Sequence, residues 1–305
     1  MRIVFAGTPA FAVPALRALV DSAAWRPVAV LTQPDRGSGR GRKLRFGPVK
    51  QLAVDAGMEV LQPTSLRPAE AQAVLAACRP DLIVTAAYGL LLPPAVLDLP
   101  GLGCWNLHAS LLPRWRGASP INQAILAGDP ETGISLMQMN AGLDTGPVIL
   151  QRSTHIRDDE RAGQLHDRLA ELAGELLVDA LGRLDAGTLP PARPQDDERA
   201  THAPLIDKSD ARLDWARPAD ELARMVRAYH PWPVAFGEIE GETWRIHRAR
   251  AAEGRAAPGE LLSSRGPEVV AVGCGEGVLE IHELQGPGRK AVAARDWFNA
   301  RRGRG

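Results

Sequence analysis

The sequence predicts an α/β fold, a mostly parallel sheet with helices on both faces, followed by a small OB-like β-barrel. Residues 2–32 read as strand, helix, strand, the signature of a right-handed crossover between parallel neighbours. Residues 81–87, Asp-Leu-Ile-Val-Thr-Ala-Ala, read as an apolar central strand of the kind buried on both faces. After a Pro-rich polar stretch at 187–197, the pattern changes to short strands separated by glycines.

Taken in order, Arg2 to Gly7 is a short strand running into a turn, and 10–22 is a helix with Phe11, Leu16, Leu19 and Val20 on its apolar face. Residues 28–32 make the second strand. Gly37, Gly39 and Gly41 deny regular structure to the loop that follows. A third strand at 59–62, an Ala-rich helix at 68–78 and the central strand 81–87 come next, then a strand at 103–105, a helix at 119–126, and strands at 132–139 and 148–150. Leu165, Leu169, Leu172, Leu176 and Leu184 stripe a long helix at 159–184. The second part carries a helix at 218–227 and strands at 236–240, 244–249, 269–272 and 278–284. The boundaries implied are a first domain at 1–188, a linker at 189–206 and a barrel domain at 207–305.

Several function classes are disfavoured by composition. Lys plus Arg and Asp plus Glu each total 36, so an anionic partner must be held by local patches. One patch, Arg36, Arg40, Arg42, Lys43 and Arg45 with Lys50, faces only Asp35 as an acid; it reads either as a solvated loop or as an arm for phosphate backbones. A second, at 287–305, reads by itself as a frayed basic terminus. Cys78, Cys104 and Cys274 lack the spacing of a disulfide framework or a zinc site. No apolar run has the length of a membrane span and Met1 to Ala6 reads as a strand, so a cytoplasmic location is expected. The turn Gly7-Thr-Pro-Ala-Phe-Ala lacks GxGxxG, and Gly37 onward lacks a Walker lysine followed by Ser or Thr, which argues against a nucleotide cofactor.

The chemistry points to Asn106 and His108. A period of two puts both on one face at a strand end, offering an amide donor for an oxyanion and an imidazole that moves protons near neutral pH. Asp144, in the glycine-punctuated turn Gly142-Leu-Asp-Thr-Gly146, reads as a turn-forming residue or as the carboxylate that orients the imidazole. Tyr88, Gly89 and Leu90 follow the central strand at its carboxyl end, where ligands of open parallel sheets collect, and so share the candidate crevice.

The opening Met1-Arg-Ile-Val-Phe-Ala-Gly-Thr-Pro-Ala-Phe-Ala-Val-Pro14, Gln33-Pro-Asp35, Asn106-x-His108-x-Ser110-Leu-Leu-Pro113 and Gly142-Leu-Asp-Thr-Gly146 closely resemble the folate-dependent formyltransferases, and within them the methionyl-tRNA formyltransferase family. Lys208, Ala211-Arg-Leu-Asp-Trp215, Pro231-Trp-Pro233 and Arg295-Asp-Trp-Phe-Asn-Ala-Arg301 extend the resemblance over nearly the whole chain. It implies transfer of a formyl group from 10-formyl-tetrahydrofolate to initiator methionyl-tRNA by a metal-free monomer. It makes Asn106, His108 and Asp144 the catalytic trio, and Ser110, Leu111, Leu112 and Pro113 a folate-site segment. Arg42 and Lys43 become the loop that engages the tRNA acceptor end, and the linker and barrel, with Lys208, the part that holds the acceptor arm. His202 departs from the pattern, where Tyr is expected, as does Tyr229-His230 before Pro-Trp-Pro. The expected mechanism has Asn106 and protonated His108 stabilise the oxyanion while Asp144 orients the imidazole. Two readings compete: a formyltransferase for an amino-sugar nucleotide or purine precursor, which needs no basic loop, and a catalytically silent tRNA-binding protein, which needs no trio.

Overall fold

The computed structural model describes residues 1–38, 43–262 and 268–302. Two compact units emerge: Met1–Pro120 with Glu131–Thr154 and His166–Ala203, and Ile121–Pro130 with His155–Leu165 and Pro204–Gly305.

Unit one begins with β1 (Ile3–Gly7), buried at every position, and a 3-10 turn that leads into α1 (Val13–Val20). Pro14 lies in the first turn of α1, where a missing N–H is harmless, and Ala15, Leu16 and Leu19 form its buried face. There follow β2 (Ala29–Leu31), β3 (Arg36–Ser38), β4 (Lys43–Arg45), α2 (Pro48–Asp55), β5 (Val60–Leu61), α3 (Ala69–Ala77) and β6 (Leu82–Ala86). Then come α4 (Pro94–Leu97), β7 (Cys104–His108), β8 (Arg116–Gly117), α5 (Pro120–Ala127), β9 (Glu131–Gln138), β10 (Val148–His155), α6 (Ala162–Asp185) and β11 (His202–Ala203). Both α5 and α6 have segments that cluster with unit two.

Seven of these strands form one sheet in the order β10-β9-β7-β6-β1-β2-β5. From β5 to β7 every pairing is parallel, and β9 joins β7 antiparallel. The apolar run predicted for the centre is β6, buried at all five positions between β1 and β7. Chain direction across the sheet reverses between β1 and β6, so crossovers on the two sides lie on opposite faces and leave a crevice at the strands' carboxyl ends. Gly7, Ala86 and His108 end strands there.

Four local expectations change. The strand expected at 103–105 runs through His108, because Asn106 and His108 pair with Met137 and Ser135 of β9; a ladder on both sides outweighs the low strand preference of Asn. The irregular loop after Asp35 is bounded by an antiparallel hairpin, with Arg36 opposite Arg45 and Ser38 opposite Lys43. The stretch 189–203 is tied into unit one by a bridge from Arg193 to Val148 and by parallel pairing of β11 with β8. Of the basic stretch, Ala294–Arg302 form a helix anchored by Trp297, which is buried and stacks edge-on with Trp244 at 5.9 Å, and 303–305 lie outside the described residues.

Unit two carries α7 (Ala219–Ala228), β12 (Ala235–Ile239), β13 (Glu242–Ala252), β14 (Leu261–Leu262), β15 (Val270–Gly273), β16 (Val278–Gln285), β17 (Val292–Ala293) and α8 (Ala294–Arg302). Its antiparallel sheet runs β12-β13-β16-β15-β14, with β17 on β16. A register irregularity between Ile246 and Ala249 bends β13, the device that curls a sheet toward a half-barrel. Leu222, Met225 and Val226 of α7 fill the hollow together with Ile246, Val270, Leu279 and Ile281. Burying side chains of this size contributes roughly 1.5–3 kcal/mol each. The small barrel predicted for the second half is this unit.

Candidate active site

Asn106 enters the crevice from β7 with its amide orientation fixed. The Thr85 hydroxyl donates to Asn106 Oδ1 at 2.8 Å, which leaves Nδ2 facing Asp144 Oδ1 at 3.4 Å. Thr85 and Asn106 are direct partners in the β6–β7 ladder, so the strand register makes this bond.

His108 is 6% exposed and has both ring nitrogens engaged. Nε2 lies 2.8 Å from the Trp115 carbonyl, an acceptor only, so this nitrogen carries a hydrogen. Nδ1 lies 3.5 Å from Asp144 Oδ2. Trp115, at φ 63, turns the chain back to present that carbonyl.

Asp144 is the third member. It adopts φ 53, a conformation that Asp tolerates better than most side chains. Its Oδ2 also accepts from the Gly117 backbone N–H at 2.9 Å, which ties the carboxylate to the main chain after β7. Gly117 must be glycine: its φ is 119, and a Cβ there would collide with the Ala203 carbonyl. A Cβ at Gly146, two residues past Asp144, would likewise meet the Gln138 carbonyl. The glycines of Gly142-Leu-Asp-Thr-Gly146 let the turn lie against β9. Between its two structural readings, Asp144 is both a turn residue and the partner of the imidazole.

A family profile described as formyl transferase matches residues 1–181, and one described as formyl transferase, C-terminal domain, matches 205–302. The chain belongs to the formyl transferase family. It is similar to proteins named methionyl-tRNA formyltransferase, at 56% identity over 304 residues in Xanthomonas campestris pv. campestris, covering 99% of this chain and 98% of the relative. In Pseudomonas fluorescens the identity is 54% over 302 residues, covering 99% and 94%. Among solved structures, a sugar 3N-formyl transferase shares the fold with a TM-score of 0.69 at 15% identity over 95% of this chain and 99% of that one. A methionyl-tRNA formyltransferase from Clostridium thermocellum gives 0.57 at 16% identity over 84% and 95%.

In this formyl transferase the residues expected to hold folate divide by exposure. Gly89 is exposed and Leu90, Leu111 and Pro113 are partly so, whereas Tyr88, Ser110 and Leu112 are buried. Ser110 donates its hydroxyl to the Arg114 carbonyl at 2.6 Å, and its own carbonyl accepts from Ser135 Oγ at 2.6 Å. Leu112 N–H donates to that same Ser135 oxygen at 3.0 Å. These two side chains shape the segment from within. At the turn after β6, the Thr8 hydroxyl and Gln33 Nε2 both donate to the Tyr88 carbonyl, at 3.0 and 3.1 Å, and Gly89 takes φ 77. An aromatic amide such as a pterin suits such a mixture of exposed backbone and leucine side chains.

The expected tRNA contacts are spread. Arg40 and Arg42 lie outside the described residues, Arg36 and Lys43 are placed by backbone on the hairpin, and Arg45 and Lys208 are exposed. At the hairpin's base, Lys50 Nζ donates to Asp35 Oδ2 at 2.5 Å and to Gln62 Oε1 at 2.7 Å. The Lys50 bond holds the Asp35 carboxyl below the usual carboxylate range. Burial pushes the Cys104 thiol, two residues before Asn106, up to about 12, which removes it as a thiolate nucleophile.

Sequence reasoning missed Thr85, Trp115, Gly117 and Gln195. Thr85 was readable in principle as the lone polar side chain in an apolar strand; the other three act through main-chain contacts between distant segments. Among the described residues no group of three His, Cys, Asp or Glu is arranged to hold a metal ion, and no helix is long and apolar enough to cross a membrane.

Proposed function

We infer that this chain transfers the formyl group of 10-formyl-tetrahydrofolate to the α-amino group of methionine on initiator methionyl-tRNA. The convergence of Asn106, His108 and Asp144 on one point at the carboxyl end of β7 carries the reading. Identity above 50% over both units, with proteins named for that acceptor, supports the choice of tRNA.

The amine attacks the formyl carbon in its neutral form; its nitrogen–carbon bond forms as the carbonyl oxygen gains charge. Asn106 Nδ2 has a second hydrogen beyond the one facing Asp144, and its orientation is preset by Thr85, so it is the oxyanion donor. The attacking nitrogen must then lose a proton, and the folate nitrogen must gain one as its bond to the formyl carbon breaks. Asp144 and His108, in contact, form the route for that proton, with Trp115 O holding the far side of the ring. Formylated amine and tetrahydrofolate result, with no net proton change. Accessible Gly89, Leu90, Leu111 and Pro113 would hold the folate, while Ser110 and Leu112 hold their segment in shape. Arg36, Arg40, Arg42, Lys43, Arg45 and Lys208 would meet RNA phosphates. We read the enzyme as a cytoplasmic monomer with a catalytic domain at 1–188 and a tRNA-binding barrel at 207–305.

The test offers 10-formyl-tetrahydrofolate with charged initiator tRNA, charged elongator tRNA, a purine-precursor amine and an amino-sugar nucleotide in parallel. Formylation of the initiator alone is expected. Preferential formylation of the sugar nucleotide would transfer the reading to the sugar enzymes.

A further inference from the structure

Two members of the trio are held in place by a stretch of chain that sequence reading treats as a linker. Gln195 Nε2 donates to the main-chain carbonyls of both Asp144, at 2.8 Å, and Gly146, at 2.7 Å. One side-chain amide thus bridges the two ends of the turn that carries the carboxylate. The other end of the Gln195 amide is fixed as well, because Oε1 accepts from Arg116 Nε at 3.0 Å. Arg116 is 5% exposed, and its Nη2 pairs with Asp197 at 2.7 Å, again from the linker.

The imidazole is served in the same way. Thr201 Oγ1 accepts the Trp115 N–H at 2.9 Å, and Trp115 O is the group that His108 Nε2 contacts. Pairing of His202 and Ala203 with Arg116 and Gly117 then fixes the Gly117 N–H that donates to Asp144. Residues 195–203 therefore touch the support of each proton-handling side chain, yet none touches the crevice groups' reactive atoms. Asp144 sits at φ 53, outside the broad minima for a side chain with a Cβ, so the turn needs outside bonds to keep that geometry.

We propose that Gln195 and Thr201 are positioning residues, the two fastenings of a strap that sets Asp144 against His108 for proton transfer. The proposal rests on the reading of Asn106, His108 and Asp144 as the catalytic trio. A carboxylate displaced by about 1 Å can lower a rate by about 10²-fold, so the strap acts on turnover more than on binding.

The sharpest variant is Gln195→Glu. It keeps the size and the acceptor for Arg116 but sets an acceptor against two carbonyls that need a donor. Thr201→Val removes the oxygen that holds Trp115, and Thr201→Ser restores it. Full-length Gln195→Glu should lower kcat by about 10²-fold and Thr201→Val by about 10-fold, with KM for the formyl donor and for tRNA within about 3-fold of the parent. Thr201→Ser and the exposed control Glu198→Gln should turn over at the parent rate. In an Asp144→Ala background, Gln195→Glu should add almost nothing, because its effect passes through Asp144.

Retention of parent kcat by both Gln195→Glu and Thr201→Val, with Asp144→Ala inactive, would overturn the strap and leave the trio standing. Full activity of Asp144→Ala would overturn the trio itself. A Gln195→Glu effect that multiplies undiminished onto Asp144→Ala would mark a general structural role and also reject the proposal. If Gln195→Glu does not fold, the Thr201→Val and Thr201→Ser pair decides, since equal rates in the two reject the strap.

Discussion

The Thr85 hydroxyl donates to Asn106 Oδ1 at 2.8 Å across directly paired positions of β6 and β7, and so decides which end of the amide faces Asp144. Replacing Thr85 by Val keeps the shape but frees the amide to turn its oxygen toward the site. Single-turnover formylation by Thr85→Val should slow by about 10-fold, less than loss of the donor itself, while Thr85→Ser stays near the parent rate. Equal rates for Thr85→Val and the parent would show that another group orients Asn106.

Removing the donor should matter more. Asn106→Ala is expected to slow the chemical step by about 10²–10³-fold, and His108→Ala by about 10²–10⁴-fold. Both variants should retain the parent far-ultraviolet circular dichroism. Rapid-quench measurement of formyl transfer checks this, and a near-parent rate in either removes that residue from the mechanism.

The backbone at Gly117 is as constrained as the side chains it serves. Gly117→Ala adds a Cβ that collides with the Ala203 carbonyl at φ 119 and displaces the N–H bound to Asp144. Activity should fall at least about 10²-fold, together with a lower melting temperature from strain of about 1–3 kcal/mol. Thermal unfolding and turnover, measured on one preparation, should both change.

Unit two should weaken on mild acidification. Burial is the main cause that lowers the pKa of His230 below 6.5, aided by Arg161 and His247 and opposed by Glu283. Burial likewise lowers His282, aided by Arg248 and Arg250 and opposed by Glu280. The unfolded chain takes up protons at these rings as pH falls through about 6.5, before the folded chain does. Their contribution is therefore intact above about pH 6.5 and is lost as pH falls toward the lower folded values. Scanning calorimetry at pH 7.5 and 5.5 should show a lower melting temperature at 5.5, and His230→Asn combined with His282→Asn should flatten that difference.

The hairpin arm should act on RNA alone. Changing Arg42 and Lys43 to Ala is expected to raise KM for charged tRNA and reduce its salt dependence, since fewer phosphates are neutralised. Affinity for the formyl donor, read by fluorescence titration, should not move. A loss of donor affinity would place this arm at the folate site.

Sequence by itself determined the parallel sheet, because Ile3 to Ala6 and, but for Thr85, Leu82 to Ala86 are apolar runs that only a doubly covered strand can bury. It also pointed to the barrel unit, through its short strands separated by glycines, and to Asn106, His108 and Asp144 as the candidate trio. Those three are side chains whose type and motif are visible in the sequence, and the structure brings them together. Tertiary structure decided everything that passes through main-chain atoms. Trp115 and Gly117 act through a main-chain carbonyl and N–H, which any residue type can supply, and the Gln195 side-chain amide meets main-chain carbonyls about fifty residues away, so no local side-chain pattern announces these contacts. For the same reason the stretch at 189–203 looked like a linker. Its polar, proline-rich composition is that of a connector, but its hydrogen-bonding groups find partners only once β8 and the Asp144 turn are in place.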